Sequence, residues 1–88
     1  MNTILIIEDE QSLARVLQSY LEREGFQVIT ANRGDTGYDL ILTRNVDLIL
    51  LDLNLPGMDG MDIAREIVRQ KKTPIIMFIL LRSASFSF

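Results

Sequence analysis

The sequence has 88 residues, of which 48% are hydrophobic and 24% charged, so it is too apolar for a disordered chain and long enough for one domain at most. Its net charge of -3 argues against nucleic-acid binding by this segment, because such binding normally needs a basic face. Cysteine and histidine are both absent, which excludes disulfides, thiolate metal sites and a histidine general base.

The first predicted unit is a strand followed by a helix. Thr3–Ile7 is a continuous apolar run, typical of a strand buried on both faces. It ends at three consecutive acidic residues, 8–10. Apolar residues then recur at helical spacing up to Gly25, which predicts a helix with a glycine stop. The residues at this spacing are Leu13, Val16, Leu17, Tyr20 and Leu21.

A second strand and helix follow. Phe26–Ala31 has β-branched residues at its centre, which favours a strand. Residues 32–35 have the composition of a turn that can also start a helix. A second helix is then predicted over Tyr38, Leu40, Ile41 and Leu42, although Gly37 weakens it.

The strongest predicted strand is Val46–Leu53, which is apolar except for Asp47 at its beginning and Asp52 near its end. A loop from Asn54 to Gly57 ends this strand. The next segment is predicted to be a third helix, and three apolar residues lie on one of its faces, namely Ile63, Ile67 and Val68.

A fourth apolar run, Ile75–Leu81, begins after Pro74, a residue that suits the start of a strand. Four strands alternating with three helices predict parallel βαβ units and therefore an α/β, doubly wound sheet. No apolar stretch reaches the roughly 18 residues of a membrane span, and the N-terminus lacks the features of a signal peptide. We therefore expect a cytoplasmic protein with no membrane contact.

Acidic residues follow two of the predicted strands. Glu8 and Asp9 come after the first strand, and Asp52 ends the third. In a doubly wound sheet, ligands bind outside the carboxyl ends of the strands. If the first and third strands are neighbours, three carboxylates converge, which costs free energy unless a cation is present. Oxygen ligands without histidine or cysteine favour Mg²⁺.

Each of these features alone has a simpler interpretation. An acidic run before a helix often only complements the helix dipole, and Asp52 could be a turn residue at the end of a strand. The loop from Asn54 to Gly57 is, by itself, a turn. A carboxylate within a buried apolar run is nevertheless unfavourable, and this observation favours a functional role for Asp52.

Three segments of the chain resemble the receiver domain of two-component response regulators. They are Ile4–Glu10, Asp47–Gly60 and, more weakly, Thr73–Met77, within a likeness that runs from about Asn2 to Met77. The resemblance implies a flavodoxin-like fold with four strands in the order 2-1-3-4 and three helices. Relative to the family, the last strand and two helices are missing.

The resemblance also implies roles for individual residues. Asp52 would be the phosphoacceptor, which attacks the phosphohistidine of a sensor histidine kinase. Asp9, Asp52 and the backbone carbonyl of Asn54 would bind Mg²⁺ directly, and Glu8 would act through a metal-bound water. Pro56 and Gly60 would have structural roles in the loop and at the start of the third helix.

The chain departs from the family at its switch residues. The family has a Thr or Ser after the fourth strand, and this position falls on Ile79, which cannot donate a hydrogen bond. Ser83 would need an unusual loop to replace it. The family also has a Lys after a fifth strand, whereas the lysines here, Lys71 and Lys72, precede the fourth strand. We therefore expect switching to be impaired.

The last seven residues of the chain fit none of the predicted strand or helix patterns. We expect residues 1–81 to form a truncated receiver domain and residues 82–88 an atypical tail, with Phe78–Phe88 arising from a frameshift or truncation. The fourth strand, Ile75–Leu81, would then be an exposed apolar edge. This predicts a homodimer or higher oligomer formed through that edge or through exchange of the C-terminal segment.

Two functions stay open at this point. One is a phosphoacceptor receiver, and the other is a receiver-like interaction module or fragment that is not phosphorylated. Nucleotide or flavin binding is disfavoured, because Glu8, Asp9 and Glu10 stand where a glycine-rich phosphate loop would be needed. Enzymatic turnover is not expected either, since the sequence offers no evident general base.

Overall fold

Strands and helices alternate along the chain in a computed structural model that describes residues 2–53, 55, 57–70 and 74–78. The strands are β1 (Thr3–Ile7), β2 (Gln27–Ala31), β3 (Leu48–Asp52) and β4 (Ile75–Phe78). The helices are α1 (Gln11–Arg23), α2 (Gly34–Thr43) and α3 (Gly60–Gln70). None of these helices has the length and apolar character that crossing a bilayer requires.

The four strands form one parallel sheet in the order β2-β1-β3-β4, which confirms the predicted flavodoxin-like fold and strand order. The chain steps from β1 to β2 in one direction and from β2 to β3 and β4 in the other. Because parallel crossovers are right-handed, this change of direction puts α1 on one face of the sheet and α2 and α3 on the opposite face. The switch in direction occurs between β1 and β3, the two central strands.

The main core lies between the sheet and the α2–α3 pair. Leu5 and Ile7 of β1 lie on this face, and they pack with side chains from β3, α2 and α3. The buried members of this cluster are Leu5, Ile7, Ile41, Ile49, Leu51, Ile63, Ala64 and Ile67. Each fully buried Leu or Ile stabilises the fold by about 1.5–3 kcal/mol relative to its exposed state. This cluster holds the carboxyl ends of β1 and β3 side by side.

The opposite face is covered less completely. No residue of α1 is buried, and Val16 and Tyr20 are 64% and 57% exposed. On β4, Ile76 is 53% exposed. Among the described residues, the outer apolar side chains of this face therefore remain partly in contact with solvent, whereas Ile4 and Ile6 of β1 on the same face are 2% and 0% exposed.

Several predicted boundaries and faces differ from the structure. The sequence predicts Ile63, Ile67 and Val68 on one face of the third helix, but Val68 is 75% exposed whereas the other two are buried. The buried stripe consists of Ile63, Ala64 and Ile67, and Val68 lies about 100° further around the helix than Ile67. The glycine stop is confirmed, since α1 ends at Arg23 and Gly25 follows with φ 97°.

Two predicted strands are shorter in the structure. β2 begins at Gln27 rather than Phe26, and β3 spans Leu48–Asp52 rather than Val46–Leu53. Asp47 lies just before β3, where its carboxylate accepts a hydrogen bond from the Thr3 N–H at 2.7 Å and its own N–H donates to the Thr3 carbonyl at 2.8 Å. The fourth predicted strand is present over Ile75–Phe78, whereas residues 79–81 and the predicted tail at 82–88 lie outside the described residues.

Candidate metal centre

The register of the two central strands places two carboxylates next to each other. Ile7 of β1 is paired with Leu51 of β3. Glu8, directly after β1, and Asp52, the last residue of β3, therefore occupy neighbouring positions. The Glu8 N–H donates to the Ala31 carbonyl at 2.9 Å, which continues the pairing towards β2 by one residue. Glu8 is 1% exposed and Asp52 0% exposed, and they are the buried charged residues in the described part of the chain.

Asp9 completes a cluster of three carboxylates at this end of the sheet. One carboxylate oxygen from each of Glu8, Asp9 and Asp52 lies within 4.8 Å of the other two. Asp9 is partly buried, so one side of the cluster remains reachable from solvent. The convergence that the sequence led us to expect is therefore present in the structure.

The hydrogen bonds of Glu8 leave one of its oxygens unsatisfied. Its Oε2 accepts a hydrogen bond from the Glu10 N–H at 2.6 Å. Its Oε1 is buried and has no hydrogen-bond partner among the described residues. The third acid of the run, Glu10, is directed elsewhere, because its carboxylate accepts from the Ser12 hydroxyl at 2.7 Å.

The environment of Glu8 raises its pKa from 4.5 to about 7. Burial is the largest cause, because it disfavours the ionised carboxyl group. The hydrogen bond from Glu10 acts in the opposite direction, while the charge of Asp52 and the contacts with Asp52 and Asp9 raise the pKa further. A cation bound in this cluster would lower the pKa of Glu8 again, because its positive charge would stabilise the ionised carboxylates against burial and mutual repulsion.

This pKa predicts a specific dependence of stability on pH. Between pH 4.5 and about 7, the folded protein keeps a proton on Glu8 that the unfolded chain has released. The free energy of unfolding therefore falls as the pH rises through this window. This contribution is fully present below pH 4.5 and is lost above about pH 7.

Urea denaturation from about pH 4 to about pH 8, without divalent cations, measures this effect. The Glu8→Gln variant is the control, because it keeps the shape of the side chain and cannot ionise. The difference between the two stability curves isolates Glu8 from the other acidic residues. Parallel curves for the two proteins across the window would contradict the prediction.

The arrangement fits a hard divalent cation. Three carboxylates meet within a small space, Glu8 and Asp52 are shielded from solvent, and one buried oxygen lacks a partner. Oxygen donors of this kind match the preference of Mg²⁺, which also keeps several of its waters. Binding of a metal here, and the assignment of individual ligands, stay predictions.

Several residues singled out from the sequence lie outside the described residues. They are Asn54 and Pro56 in the loop after β3, the two lysines Lys71 and Lys72, and the switch-position residues Ile79 and Ser83. The sequence also failed to reveal a contact near the site. Gly34, at the start of α2, lies against the backbone of Met58, and nothing in the sequence distinguishes this glycine from an ordinary turn residue.

Comparisons with known proteins agree with this fold. A family model described as the response regulator receiver domain matches residues 4–85. The match extends beyond Met77, where the likeness noted in the sequence ends. The transcriptional regulatory protein SrrA of Staphylococcus aureus is 47% identical over 76 residues, which is 86% of this chain. The chain spans only 32% of the length of SrrA.

Solved structures show the same similarity. The response regulator TrrA of Thermotoga maritima, in complex with Mg²⁺-BeF, superposes with a TM-score of 0.84 at 34% identity, over 90% of this chain and 70% of that one. TrrA in complex with the histidine kinase ThkA gives a TM-score of 0.81 at 33% identity, over 88% of this chain and 67% of that one. Both TM-scores indicate the same overall fold.

Proposed function

This chain belongs to the response regulator receiver domain family, and we propose that it accepts a phosphoryl group from a sensor histidine kinase onto Asp52. In this proposal Asp9, Asp52 and the backbone carbonyl of Asn54 hold Mg²⁺, and Glu8 acts through a metal-bound water. The activity of any longer protein that contains this segment lies beyond the proposal, because the chain corresponds to about a third of SrrA.

The observation that carries the proposal is the convergence of Glu8, Asp9 and Asp52 at the carboxyl ends of β1 and β3. Successive strands are added in one direction from β1 to β2 and in the other direction afterwards, so the strand order switches between β1 and β3. In doubly wound folds, ligands usually bind at the carboxyl ends of the strands at this switch point. The Mg²⁺-BeF complex of TrrA offers independent support, since that protein shares the fold and is 34% identical to this chain over the aligned region.

The proposed chemistry follows from the properties of the three carboxylates. An oxygen of Asp52 attacks the phosphorus atom, the P–N bond of the phosphohistidine breaks, and the imidazole leaves. When bound, Mg²⁺ neutralises charge on the transferred group and on the carboxylates that surround it. Glu8 and Asp9 hold the cation beside Asp52, and the burial of Asp52 keeps bulk water away from the reacting oxygen.

The proposed partner is a histidine kinase, with the phosphohistidine as phosphoryl donor. The complex between TrrA and the kinase ThkA supports this assignment for a chain of the same fold. We propose a phosphoacceptor rather than an enzyme, since the site provides a nucleophile that is consumed once per transfer. Cytoplasmic location and the absence of nucleic-acid binding stay predictions.

Formation of a covalent adduct tests the proposal directly. Incubated with Mg²⁺ and acetyl phosphate, the protein is expected to gain one phosphoryl group that hydroxylamine removes, and mass spectrometry of peptides locates it at Asp52. Beryllofluoride with Mg²⁺ is expected to shift the amide resonances around Asp52 in nuclear magnetic resonance spectra. Removal of Mg²⁺ with EDTA is expected to prevent both results, because the carboxylates then repel the incoming anion.

A different result would favour the second function. If neither reagent forms an adduct and the protein shows no affinity for millimolar Mg²⁺, the phosphoacceptor proposal is wrong. The chain would then act as an interaction module that keeps the receiver fold without its chemistry.

Two finer proposals concern switching and assembly. We propose that switching is impaired, on the basis that Ile79 stands where the family has a hydroxyl. We also propose that copies associate through β4, which is an edge strand of the described sheet and exposes 53% of Ile76. Unpaired backbone groups beside an apolar side chain favour pairing with a second strand.

A further inference from the structure

Two glycine contacts connect α2 to the backbone of Asp52. We propose that Gly34 is a positioning residue for the metal site, which acts by locking Met58 and, through it, the short segment that packs on Asp52. This inference rests on the proposed function, because it concerns the placement of a residue that we assign to metal binding. It adds a residue from a helix that holds none of the three carboxylates.

The first contact joins the start of α2 to the loop after β3. Gly34 is buried, and a Cβ atom at this position would collide with the carbonyl oxygen of Met58. The same Cβ atom would lie 2.9 Å from the Met58 nitrogen and 3.0 Å from its carbonyl carbon. These are backbone atoms, so no change of rotamer can relieve the collision. Only movement of one segment relative to the other can do so.

The second contact lies two residues further along the chain. A Cβ atom on Gly60 would be 3.0 Å from the carbonyl oxygen of Asp52 and 2.9 Å from the Cα atom of Leu53. The beginning of α3 therefore lies directly on the backbone of the proposed phosphoacceptor. Because only Asp59 separates Met58 from Gly60, a shift at Met58 changes the position of this contact.

Hydrogen bonds stiffen the segment between the two contacts. The Asp59 carboxylate accepts from the Met61 N–H at 2.8 Å, and the Asp59 carbonyl accepts from the Ile63 N–H at 3.1 Å. This pattern is that of a capped helix N-terminus. A displacement imposed at Met58 is therefore passed on rather than absorbed by a loose loop.

A neighbouring ion pair extends the contact between α2 and the loop. Arg33 Nε and Asp35 Oδ1 are 3.1 Å apart. A Cβ atom on Gly57 would lie 2.8 Å from Asp35 Oδ1 and 3.1 Å from Arg33 Nη2. Two consecutive loop residues, Gly57 and Met58, thus contact the beginning of α2.

The affinity for Mg²⁺ is the property that should report this positioning. Metal binding depends on the placement of the ligand oxygens, and loss of a supporting contact typically weakens it by about 10–100-fold. A residue with a purely structural role would instead change the stability of the fold and leave the affinity of the folded protein unchanged.

The experiment compares Gly34→Ala with Gly37→Ala in the full chain. Both changes add one methyl group to α2, but at Gly37 the new Cβ atom would meet the Ile7 side chain, 2.6 Å from Cδ1, 2.8 Å from Cγ1 and 3.0 Å from Cγ2. These are side-chain rather than backbone atoms, so we expect this variant to lose stability without displacing the loop after β3. Titration with Mg²⁺ alone, followed by amide resonances, is expected to show a Kd roughly tenfold weaker for Gly34→Ala and nearly unchanged for Gly37→Ala.

A second variant covers the case in which Gly34→Ala does not fold. Arg33→Ala removes an exposed ion pair, which costs little stability, and loosens the contact with Gly57. It is expected to weaken Mg²⁺ binding by about twofold to threefold, less than a change at Gly34, because the Met58 contact remains.

The outcomes separate the two proposals. If the unaltered protein binds Mg²⁺ and beryllofluoride but a folded Gly34→Ala variant binds Mg²⁺ equally well, the positioning role is wrong and the proposed function stands. If Gly34→Ala does not fold, an unchanged Kd for Arg33→Ala overturns the positioning role. If the unaltered protein binds neither reagent, both proposals fail.

Discussion

The Asp52→Asn variant is expected to form no adduct with acetyl phosphate or beryllofluoride, even at saturating Mg²⁺. An amide oxygen is a poor nucleophile and carries no charge, so the residue that would form the new O–P bond is lost. Intact-protein mass spectrometry after incubation measures the phosphorylated fraction directly. We expect this fraction to fall from a measurable value to the background level.

The same variant is expected to be more stable than the unaltered protein when no metal is present. Asp52 is 0% exposed and its charge raises the pKa of Glu8, so replacing it with a neutral isostere removes an unfavourable buried charge. The urea midpoint at about pH 8 should therefore rise. A gain in stability together with a loss of adduct is difficult to explain if Asp52 serves only the fold.

A matched control is available on α2. Asp39 is exposed and does not belong to the acidic cluster, so Asp39→Asn makes the same chemical change outside the proposed site. This variant is expected to keep both the adduct and the stability of the unaltered protein. An adduct that persists in Asp52→Asn, or that disappears equally in Asp39→Asn, would contradict the assignment of Asp52 as phosphoacceptor.

Leu5→Ala is expected to remove most of the stability of the fold. Leu5 is 0% exposed in a central strand and belongs to the core between the sheet and the α2–α3 pair. Truncation of a buried leucine to alanine typically costs about 2–5 kcal/mol, because transfer and cavity contributions add. A domain of this length has a total stability of roughly 5 kcal/mol, so a large unfolded fraction is expected.

Urea denaturation followed by circular dichroism measures this loss, and Leu42→Ala is its control. Leu42 lies on α2 and is 46% exposed, so the same truncation removes much less buried area. We expect the control to lose less than about 1 kcal/mol. Equal losses for the two variants would mean that the core described above does not dominate the stability.

The sequence predicted the fold class well because the signals of its strands are strong. Thr3–Ile7 and the run that contains β3 are almost continuously apolar, as is typical of parallel strands covered on both faces. The strand order came from the resemblance to receiver domains, because alternation alone does not determine which strands are neighbours. The structure confirms that order.

The boundaries and some faces were harder to predict, for identifiable reasons. Hydropathy alone extends the third strand to Val46, but in the structure the strand begins at Leu48, and the Thr3 N–H beside it bonds to the Asp47 side chain rather than to the backbone of the neighbouring strand. Val68 is apolar like the buried residues of α3, and its angular position on the helix, rather than its hydropathy, determines its exposure. Neither effect is visible in a local pattern.

The candidate site was likewise predictable from the sequence only in part. Glu8, Asp9 and Asp52 could be predicted because they follow strands whose carboxyl ends must meet at one edge. The contact between Gly34 and Met58 could not be predicted, since it depends on the approach of two backbones that are distant in sequence. Close approach leaves no signal beyond the glycine itself, and glycines occur for many reasons.

The lack of buried residues in α1 has a consequence for the motions of the molecule. A helix whose every side chain keeps some contact with water is held by fewer apolar contacts than its neighbours, so it can open without unfolding the sheet. Its amide protons then exchange with solvent through local opening, while those of β1 and β3 exchange only when the whole domain unfolds. Since Glu10 is the cap of this helix and its N–H binds Glu8, each such opening also loosens one wall of the acidic cluster.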